Sequence, residues 1–266
     1  MTADASQVQR LACLEVRGGN SQATYAAELP GLAAWVSCRP LGPSQRGGDL
    51  YYFSSCSHGS TARVVIADVA GHGEHVSAAA FRLRYALRQH IDLWDQSLLI
   101  KDLNESFLRN DWGARFATAF FANFASDSGV LLFTNAGHMP PLWHRAATKE
   151  WAYLYDSAPP IKKFEDLPLG LIAGTRYHQT AVELEPDDLL VLYTDGINEA
   201  ENEAGDQLGL SGLLSIARHL PTSSAAAAGE ELVAAVSRFR GSAPANDDAT
   251  VVTLLRQGSV RQCLWE

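Results

Sequence analysis

The sequence predicts an α+β fold in which antiparallel sheets are layered into a sandwich. Three observations predict it: strand-like runs come in clusters, helical patterns come in pairs, and the two do not alternate as in a doubly wound fold. The chain has 266 residues, 47% of them hydrophobic, which is enough for one large core. No Pro/Ser-rich linker divides it, so we expect one principal domain.

The first part of the chain is mixed and then becomes strand-like. Residues 1–28 are weakly periodic and could form either a short helical lead-in or a first edge strand. Strands are predicted at 32–38, 50–54 and 62–68. Apolar residues then recur at spacings of three and four between Val76 and Leu87. This period predicts a helix over 74–90, and a second helix is predicted over 97–109.

The second part returns to strands and ends with a further helix pair. Runs at 118–124 and 130–134 flank Ser126-Asp127-Ser128-Gly129, which is a hairpin signal. Further strands are predicted at 142–144, 151–155, 180–184, 189–193 and 250–256, with 180–184 and 189–193 as a pair. A Pro-containing loop covers 156–170, and two helices lie between 210 and 239. We therefore expect a lead at 1–30, a domain at 31–256 and a tail at 257–266.

The charge balance excludes some partner classes. The formal net charge is −9, the sequence pI is about 5.3, and no basic cluster is present. Nucleic acids and anionic membranes are therefore not expected partners. An acidic enzyme acting on a phosphorylated substrate needs local positive charge, which a bound metal ion can supply.

The cysteines indicate a reducing compartment, and the N-terminal sequence does not indicate export. Cys13, Cys38, Cys56 and Cys263 are scattered without metal-ligand spacing, so we expect free thiols. The N-terminus lacks the pattern of a signal peptide, and no apolar run approaches the ~18 residues of a membrane span. The expectation is a cytoplasmic protein without a membrane segment.

Aspartates at the edges of strand-like runs are the candidate functional residues. They occur in four short segments: Gly47-Gly48-Asp49, Ala67-Asp68-Val69-Ala70-Gly71-His72-Gly73, Tyr193-Thr194-Asp195-Gly196 and Asn246-Asp247-Asp248-Ala249-Thr250. Several carboxylates brought together cannot all stay charged without a cation. Hard divalent ions such as Mg²⁺ and Mn²⁺ prefer oxygen ligands. The joint pattern therefore predicts a carboxylate-held metal centre.

Each aspartate alone also has a simpler explanation. Asp68 could cap the helix that follows it, and Asp195 could be a turn residue after a strand. Asp49 could be part of an ordinary loop, and Asp247 with Asp248 could form a solvated turn. Four acids at four strand edges favour the metal centre over these separate explanations.

Ordered segments of the chain resemble the metal-dependent (PPM, or type-2C) protein phosphatases, in particular the bacterial SpoIIE/RsbU-type serine phosphatases. The resemblance covers about residues 31–256 and rests on GGDLYYF, VVIADVAGHG, FATAFFANFASDSGVLLFTNAGHMPPLWHR, LPLGL, LEPDDLLVLYTDGINEAEN and NDDATVVTLL, in this order. It implies an α-β-β-α sandwich of two antiparallel sheets flanked by helix pairs. This agrees with the fold class predicted from the residues.

The resemblance also implies a role for each matching acid. Asp68 would bridge two Mn²⁺ or Mg²⁺ ions, and the backbone carbonyl of Val69 would bind the second ion. Asp195 and Asp247 would complete the first site, and Asp49 would serve the second through water. Asp68, Asp195 and Asp247 are thus the expected catalytic residues.

Other positions that match or depart from the family pattern carry weaker expectations. Asp248 is a candidate for either a metal ligand or a group that supports the ligands. His72 is expected to shape its loop, and His138 to be a hydrogen-bonded turn histidine. Arg46 is expected to be a solvated loop residue, and Tyr52 replaces an acid that is common in the family. No general acid is identified for the leaving group.

The implied activity is hydrolysis of phosphoserine on a bacterial regulatory protein by a metal-activated water, without a phosphoenzyme. The branch implies a phosphorylated STAS-type anti-sigma-factor antagonist as substrate, and a homodimer is one expectation for the assembly. One alternative is a catalytically degenerate domain that binds a phosphoprotein or partner. A further alternative reads Gly47-Gly48-Asp49 as a nucleotide-cyclase loop, but Leu50 then stands where that loop needs an acid.

Overall fold

The computed structural model describes residues 8–41, 46–55, 59–71, 74–90, 96–109, 116–154 and 166–258. The strands are β1 (Gln9–Arg10), β2 (Val16–Ser21), β3 (Ala23–Leu29), β4 (Leu32–Arg39), β5 (Arg46–Ser55), β6 (Thr61–Val69), β7 (Ala117–Ala125), β8 (Val130–Ala136), β9 (Leu142–Arg145), β10 (Glu150–Tyr153), β11 (Thr180–Glu183), β12 (Leu189–Tyr193) and β13 (Ala249–Arg256). The helices are α1 (Glu74–Gln89), α2 (Gln96–Leu108), α3 (Asp195–Asn198), α4 (Gly209–Ala217) and α5 (Ala225–Arg240).

These strands form two sheets that lie face to face. One has seven strands in the order β1-β3-β4-β13-β12-β9-β10, and the other has six in the order β11-β8-β7-β6-β5-β2. The named strands pair antiparallel, except for the short parallel contact of β1 with β3. The predicted class is confirmed, because the layers are helix, sheet, sheet and helix.

Three hydrophobic clusters hold these layers together. The first fills the space between the sheets and includes Phe53, Phe120 and Leu192, all at most 1% exposed. In the second, the other face of the six-stranded sheet packs against α1 and α2. In the third, the other face of the seven-stranded sheet packs against α4 and α5. Both faces of each sheet are thus buried, which explains why central strands such as β12 read as continuous apolar runs rather than alternating ones.

The N-terminal segment belongs to both sheets. Of the two alternatives for residues 1–28, the strand is confirmed for the described part, which forms β1, β2 and β3. β2 pairs with β5 at the edge of the six-stranded sheet, and β3 pairs with β4 in the seven-stranded sheet. The boundaries at residues 30 and 257 stay predictions.

One predicted strand pairing is wrong. Runs 180–184 and 189–193 were expected to pair with each other, but β11 pairs with β8 while β12 pairs with β13 and β9. The connection between them crosses from one sheet to the other. The buried carboxylate of Asp188 holds this crossing by accepting hydrogen bonds from the backbone N–H groups of Glu185 and Ala146 and from Trp143 Nε1, at 2.9, 2.8 and 3.1 Å.

Cys13 and Cys38 are free thiols, as predicted, while Cys56 and Cys263 lie outside the described residues. Burial raises the pKa of Cys38 to about 12, so this thiol stays protonated. Within the described ranges, no helix combines the length and the apolarity that a bilayer span requires.

Candidate metal centre

Asp49 and Asp68 lie side by side on neighbouring strands. β5 and β6 are antiparallel, and their register places Asp49 directly opposite Asp68. Such cross-strand partners have Cβ atoms about 4.5–5.5 Å apart. Asp49 is 1% exposed, whereas Asp68 is only half-buried. Val69 ends β6 directly after Asp68, so its carbonyl is available at the same strand end.

Asp195 and Asp247 come from the other sheet. Asp195 opens the short helix α3 two residues after β12 ends, and Asp247 lies two residues before β13 begins. β12 and β13 are antiparallel neighbours, so the end of one strand meets the start of the other. A methyl group added at Gly196 would lie 3.5 Å from the Cβ of Asp247, which places the two segments in close contact.

The acids also affect one another electrostatically. Burial, followed by the charges of Asp195, Asp247 and Asp248, raises the pKa of Asp68 to about 7. Burial and then the charge of Asp247 raise the pKa of Asp195. Burial and then the charge of Asp68 raise the pKa of Asp49 well above its ordinary value. The predicted acids therefore form one cluster of mutually repelling charges, drawn from both sheets.

Thr194 connects the two halves of this cluster, and the sequence reasoning gave it no role. Its hydroxyl donates a hydrogen bond of 2.7 Å to Asp49 Oδ2 and accepts one of 2.9 Å from the backbone N–H of Thr250. Both threonines are completely buried. Thr194 thus ties Asp49 on the six-stranded sheet to the β12–β13 pair. In the sequence, the one feature that pointed to Thr194 was its position directly before Asp195 in the Tyr193-Thr194-Asp195-Gly196 segment.

The carboxylate of Asp248 is hydrogen-bonded to the backbone around the site. It accepts hydrogen bonds from the backbone N–H groups of Leu41 and Gly48, at 2.5 and 2.6 Å. A methyl group at Gly47 would overlap this carboxylate, which explains why glycine stands there. Of the two alternatives left open for Asp248, these contacts favour the supporting group over the direct ligand.

The residues present suit a hard divalent cation. The candidate donors are carboxylates and the carbonyl of Val69, and an all-oxygen set is what Mg²⁺ and Mn²⁺ prefer. Among the described residues, no three Asp, Glu, His or Cys side chains already enclose a point as a complete metal cage would. An open arrangement is compatible with these ions, because Mg²⁺ usually keeps several waters and takes only one or two carboxylates.

The remaining predicted residues lie around the cluster. His138 is buried, and its Nδ1 shares a hydrogen bond of 2.8 Å with the hydroxyl of Thr118, which pairs with Asp68 across β6 and β7. Asn135 accepts from the His138 N–H and donates to its carbonyl, at 2.6 and 2.9 Å, as expected of a turn histidine. Burial lowers the pKa of His138 to about 4, so the ring is neutral.

Neither Tyr52 nor Arg46 is among the candidate metal ligands, and His72 lies outside the described residues. Tyr52 is completely buried in the cluster that packs the six-stranded sheet against α1 and α2. The tyrosine therefore belongs to the core rather than to the metal centre. Arg46 is exposed, as expected, but it lies at the start of the strand β5 rather than in a loop.

Removal of metal should make stability depend on pH in a defined direction. The pKa of Asp68 rises from 3.8 to about 7 on folding, so in this interval the folded protein keeps a proton that the unfolded chain releases. Stability therefore decreases as pH increases, and the melting temperature should fall between about pH 4 and about pH 7. Melting in EDTA, followed by circular dichroism, measures this. Mn²⁺ should restore more stability at the higher pH, and a melting temperature that rises over this interval would contradict the clustering.

Comparison with protein families matches residues 58–257 to the model of the stage II sporulation protein E (SpoIIE) family. Among curated proteins, the chain is 28% identical over 162 residues to the phosphoserine phosphatase RsbU of Bacillus subtilis, covering 60% of this chain and 45% of that protein. It is 29% identical over 160 residues to the phosphoserine phosphatase RsbP of the same organism, covering 58% of this chain and 37% of that protein. The chain thus spans less than half the length of these relatives.

Solved structures with the same fold are more distant in sequence. The RsbU and RsbW domains of Rv1364c from Mycobacterium tuberculosis align with a TM-score of 0.72 and 23% identity, over 90% of this chain and 63% of that one. The PP2C phosphatase domain of SpoIIE from Bacillus subtilis, solved with a fragment of its regulatory domain, aligns with a TM-score of 0.68 and 18% identity, over 84% of this chain and 63% of that one. At these identities the alignments show the shared fold alone.

Proposed function

This chain belongs to the SpoIIE family, within the PPM phosphatases, and from that premise we propose that it is a metal-dependent protein-serine/threonine phosphatase. The observation that carries the proposal is the cluster of Asp49, Asp68, Asp195 and Asp247, which draws repelling acids from two sheets to one place. Keeping such acids together lowers stability, so a protein without a cation to bind would gain nothing from the arrangement.

The residues of the site divide into ligands and supports. Asp68, Asp195 and Asp247 would hold one ion, and Asp68 with the carbonyl of Val69 and, through water, Asp49 would hold a second. Thr194 keeps one oxygen of Asp49 turned toward the β12–β13 pair. The bound Mn²⁺ or Mg²⁺ ions supply an activated water near neutral pH and offset the negative charge of the phosphoryl group.

The buried thiol near the site does not suit a phosphocysteine intermediate, and we propose direct hydrolysis. The Cys38 thiol lies near Thr250, but it is buried and its pKa is raised to about 12, so it is a poor nucleophile at neutral pH. The cluster itself consists of carboxylates whose repulsion a cation would relieve. The substrate we propose is phosphoserine, which is supported by the two Bacillus phosphoserine phosphatases that the chain resembles. A STAS-type anti-sigma-factor antagonist as its carrier is the expectation from the family resemblance alone.

Hydrolysis of p-nitrophenyl phosphate and of a phosphoserine peptide tests this function. Both should be cleaved in the presence of Mn²⁺, and EDTA should stop the reaction because the acids alone cannot activate water. Added Mn²⁺ should restore it. A well-folded protein with no turnover, or with turnover that EDTA does not affect, would contradict the proposal and favour the degenerate, partner-binding alternative.

A further inference from the structure

A separate cleft lies beside the candidate metal centre. It has a volume of about 880 Å³ and lies between the edge strand β2, the start of β5 and the first half of α1. This volume lies within the range of sites that bind small ligands or parts of larger ones. Arg46, which lines the cleft, stands three residues before Asp49 on the same strand, so this wall of the cleft lies roughly 10 Å along β5 from a predicted ligand.

The charge of this cleft is opposite to that of the chain. Arg46, Arg82 and Arg84 line it, and none of its described lining residues is acidic, although the chain carries a net charge of −9. The Nε of Arg84 is buried and has no hydrogen-bond acceptor within the described part of the chain. A guanidinium group in such a place is stabilised by an anion with two oxygens, which it binds in a forked geometry.

The cleft is fixed to the strand that carries Asp49. The buried side-chain amide of Asn20, on β2, donates hydrogen bonds to the backbone carbonyl of Gly47 at 2.9 Å and to that of Ser77, on α1, at 3.1 Å. One side chain therefore connects both walls of the cleft to β5. On the rim, Phe81 is 60% exposed, which adds an apolar surface next to the arginines.

We propose that this cleft binds an acidic segment of the phosphoprotein substrate, close in sequence to the phosphoserine. This inference rests on the proposed function and adds to it the kind of sequence that is selected. A carboxylate of the segment pairs with Arg84, whose Nε lacks an acceptor within the described residues, and an apolar residue beside it contacts Phe81. A positive cleft in an otherwise acidic protein also steers an acidic segment to this face rather than elsewhere.

The test compares two phosphoserine peptides of equal length, one with Asp and Glu beside the phosphoserine and one with Asn and Gln in the same positions. With Mn²⁺, the wild-type protein should prefer the acidic peptide by about tenfold in kcat/KM, mainly through KM. Arg84→Gln should reduce this preference to about twofold or less. The matched control is Arg88→Gln, because Arg88 is exposed on the same helix but does not line the cleft, and it should keep the wild-type preference.

A second variant keeps the test independent of the folding of Arg84→Gln. Gln22 lines the cleft and is exposed, so Gln22→Glu adds a negative charge with almost no change in size. It should lower the preference for the acidic peptide by about threefold at low ionic strength and less at high salt. Equal cleavage of both peptides by the wild type, or equal loss of preference in the Arg84 and Arg88 variants, would overturn the inference.

Failure of the proposed function can be told apart from failure of this inference. If no phosphate ester is cleaved by the folded protein, anisotropy of the fluorescently labelled acidic phosphopeptide still tests the cleft. Tighter binding to the wild type than to Arg84→Gln would then support it, and equal binding would overturn it. Binding to phosphatidylserine vesicles that is lost in Arg84→Gln and displaces the peptide would assign the cleft to a lipid surface and would also overturn it.

Discussion

Asp68→Asn should abolish phosphate-ester hydrolysis while the chain stays folded. Burial and three neighbouring carboxylates together raise the pKa of Asp68. Asp68 is also the proposed bridge between the two ions. Replacement of groups that merely support metal ligands costs about 10–100-fold in activity or metal affinity, so the loss of a bridging ligand should exceed about 100-fold. Turnover of p-nitrophenyl phosphate at saturating Mn²⁺ measures it.

The stability of the same variant separates a ligand from a structural residue. The introduced asparagine side chain is neutral, so the repulsion with Asp195 and Asp247 would fall, and the metal-free variant should melt at or above the wild-type temperature near pH 8. Asp102→Asn is the matched control, because Asp102 is exposed on α2. It should keep wild-type activity. A variant of Asp68 that is inactive only because it melts at a much lower temperature would contradict the assignment.

Gly196→Ala should both destabilise the protein and weaken Mn²⁺ binding. An added methyl group would overlap the backbone carbonyl oxygen of Asp248, which cannot move without displacing Asp247. Replacing glycine by alanine in a helix such as α3 normally increases the free energy of unfolding by up to about 1 kcal/mol. Overpacking against fixed groups costs about 1–3 kcal/mol, so the clash should prevail and lower the melting temperature by about 3–8 °C.

Gly258→Ala is the matched control for this substitution. Among the described residues, no atom lies within 4 Å of the position that a methyl group on Gly258 would take, so this change should leave stability and Mn²⁺ affinity as in the wild type. Thermal melting with and without Mn²⁺ measures both effects. An unchanged Mn²⁺ affinity in Gly196→Ala would show that the segments of Asp195 and Asp247 do not contact each other in the metal-binding state.

Local patterns in the sequence predicted most elements of the fold. The β7–β8 hairpin was predictable because its turn residues lie between two apolar runs, and Gly129 adopts the left-handed backbone (φ +74°) that the turn needs. The helix α1 was predictable from its 3.6-residue period. The partners of β11 and β12 were not, because nothing within residues 180–193 shows that the connecting turn passes between the sheets.

The candidate site was predictable in its acids but not in its supports. Asp68 and Asp195 each follow an apolar run and are followed within three residues by glycine. This local pattern was enough to identify them as candidate ligands. The roles of Thr194 and Asp248 depend on contacts with Asp49 and Gly48, which lie 145 and 200 residues away in sequence. Such contacts depend on how the two sheets are placed, and the pattern of any single segment does not contain that information.

Diffraction from crystals soaked in Mn²⁺, with data that include the anomalous signal of manganese, tests the central claim most directly. We predict two anomalous peaks in the wild-type protein, both within coordination distance of Asp68, with Asp195 and Asp247 beside one and the carbonyl of Val69 beside the other. In Asp68→Asn at least one peak should be lost. Manganese bound elsewhere, with these carboxylates free of any ion at a saturating concentration, would contradict the account.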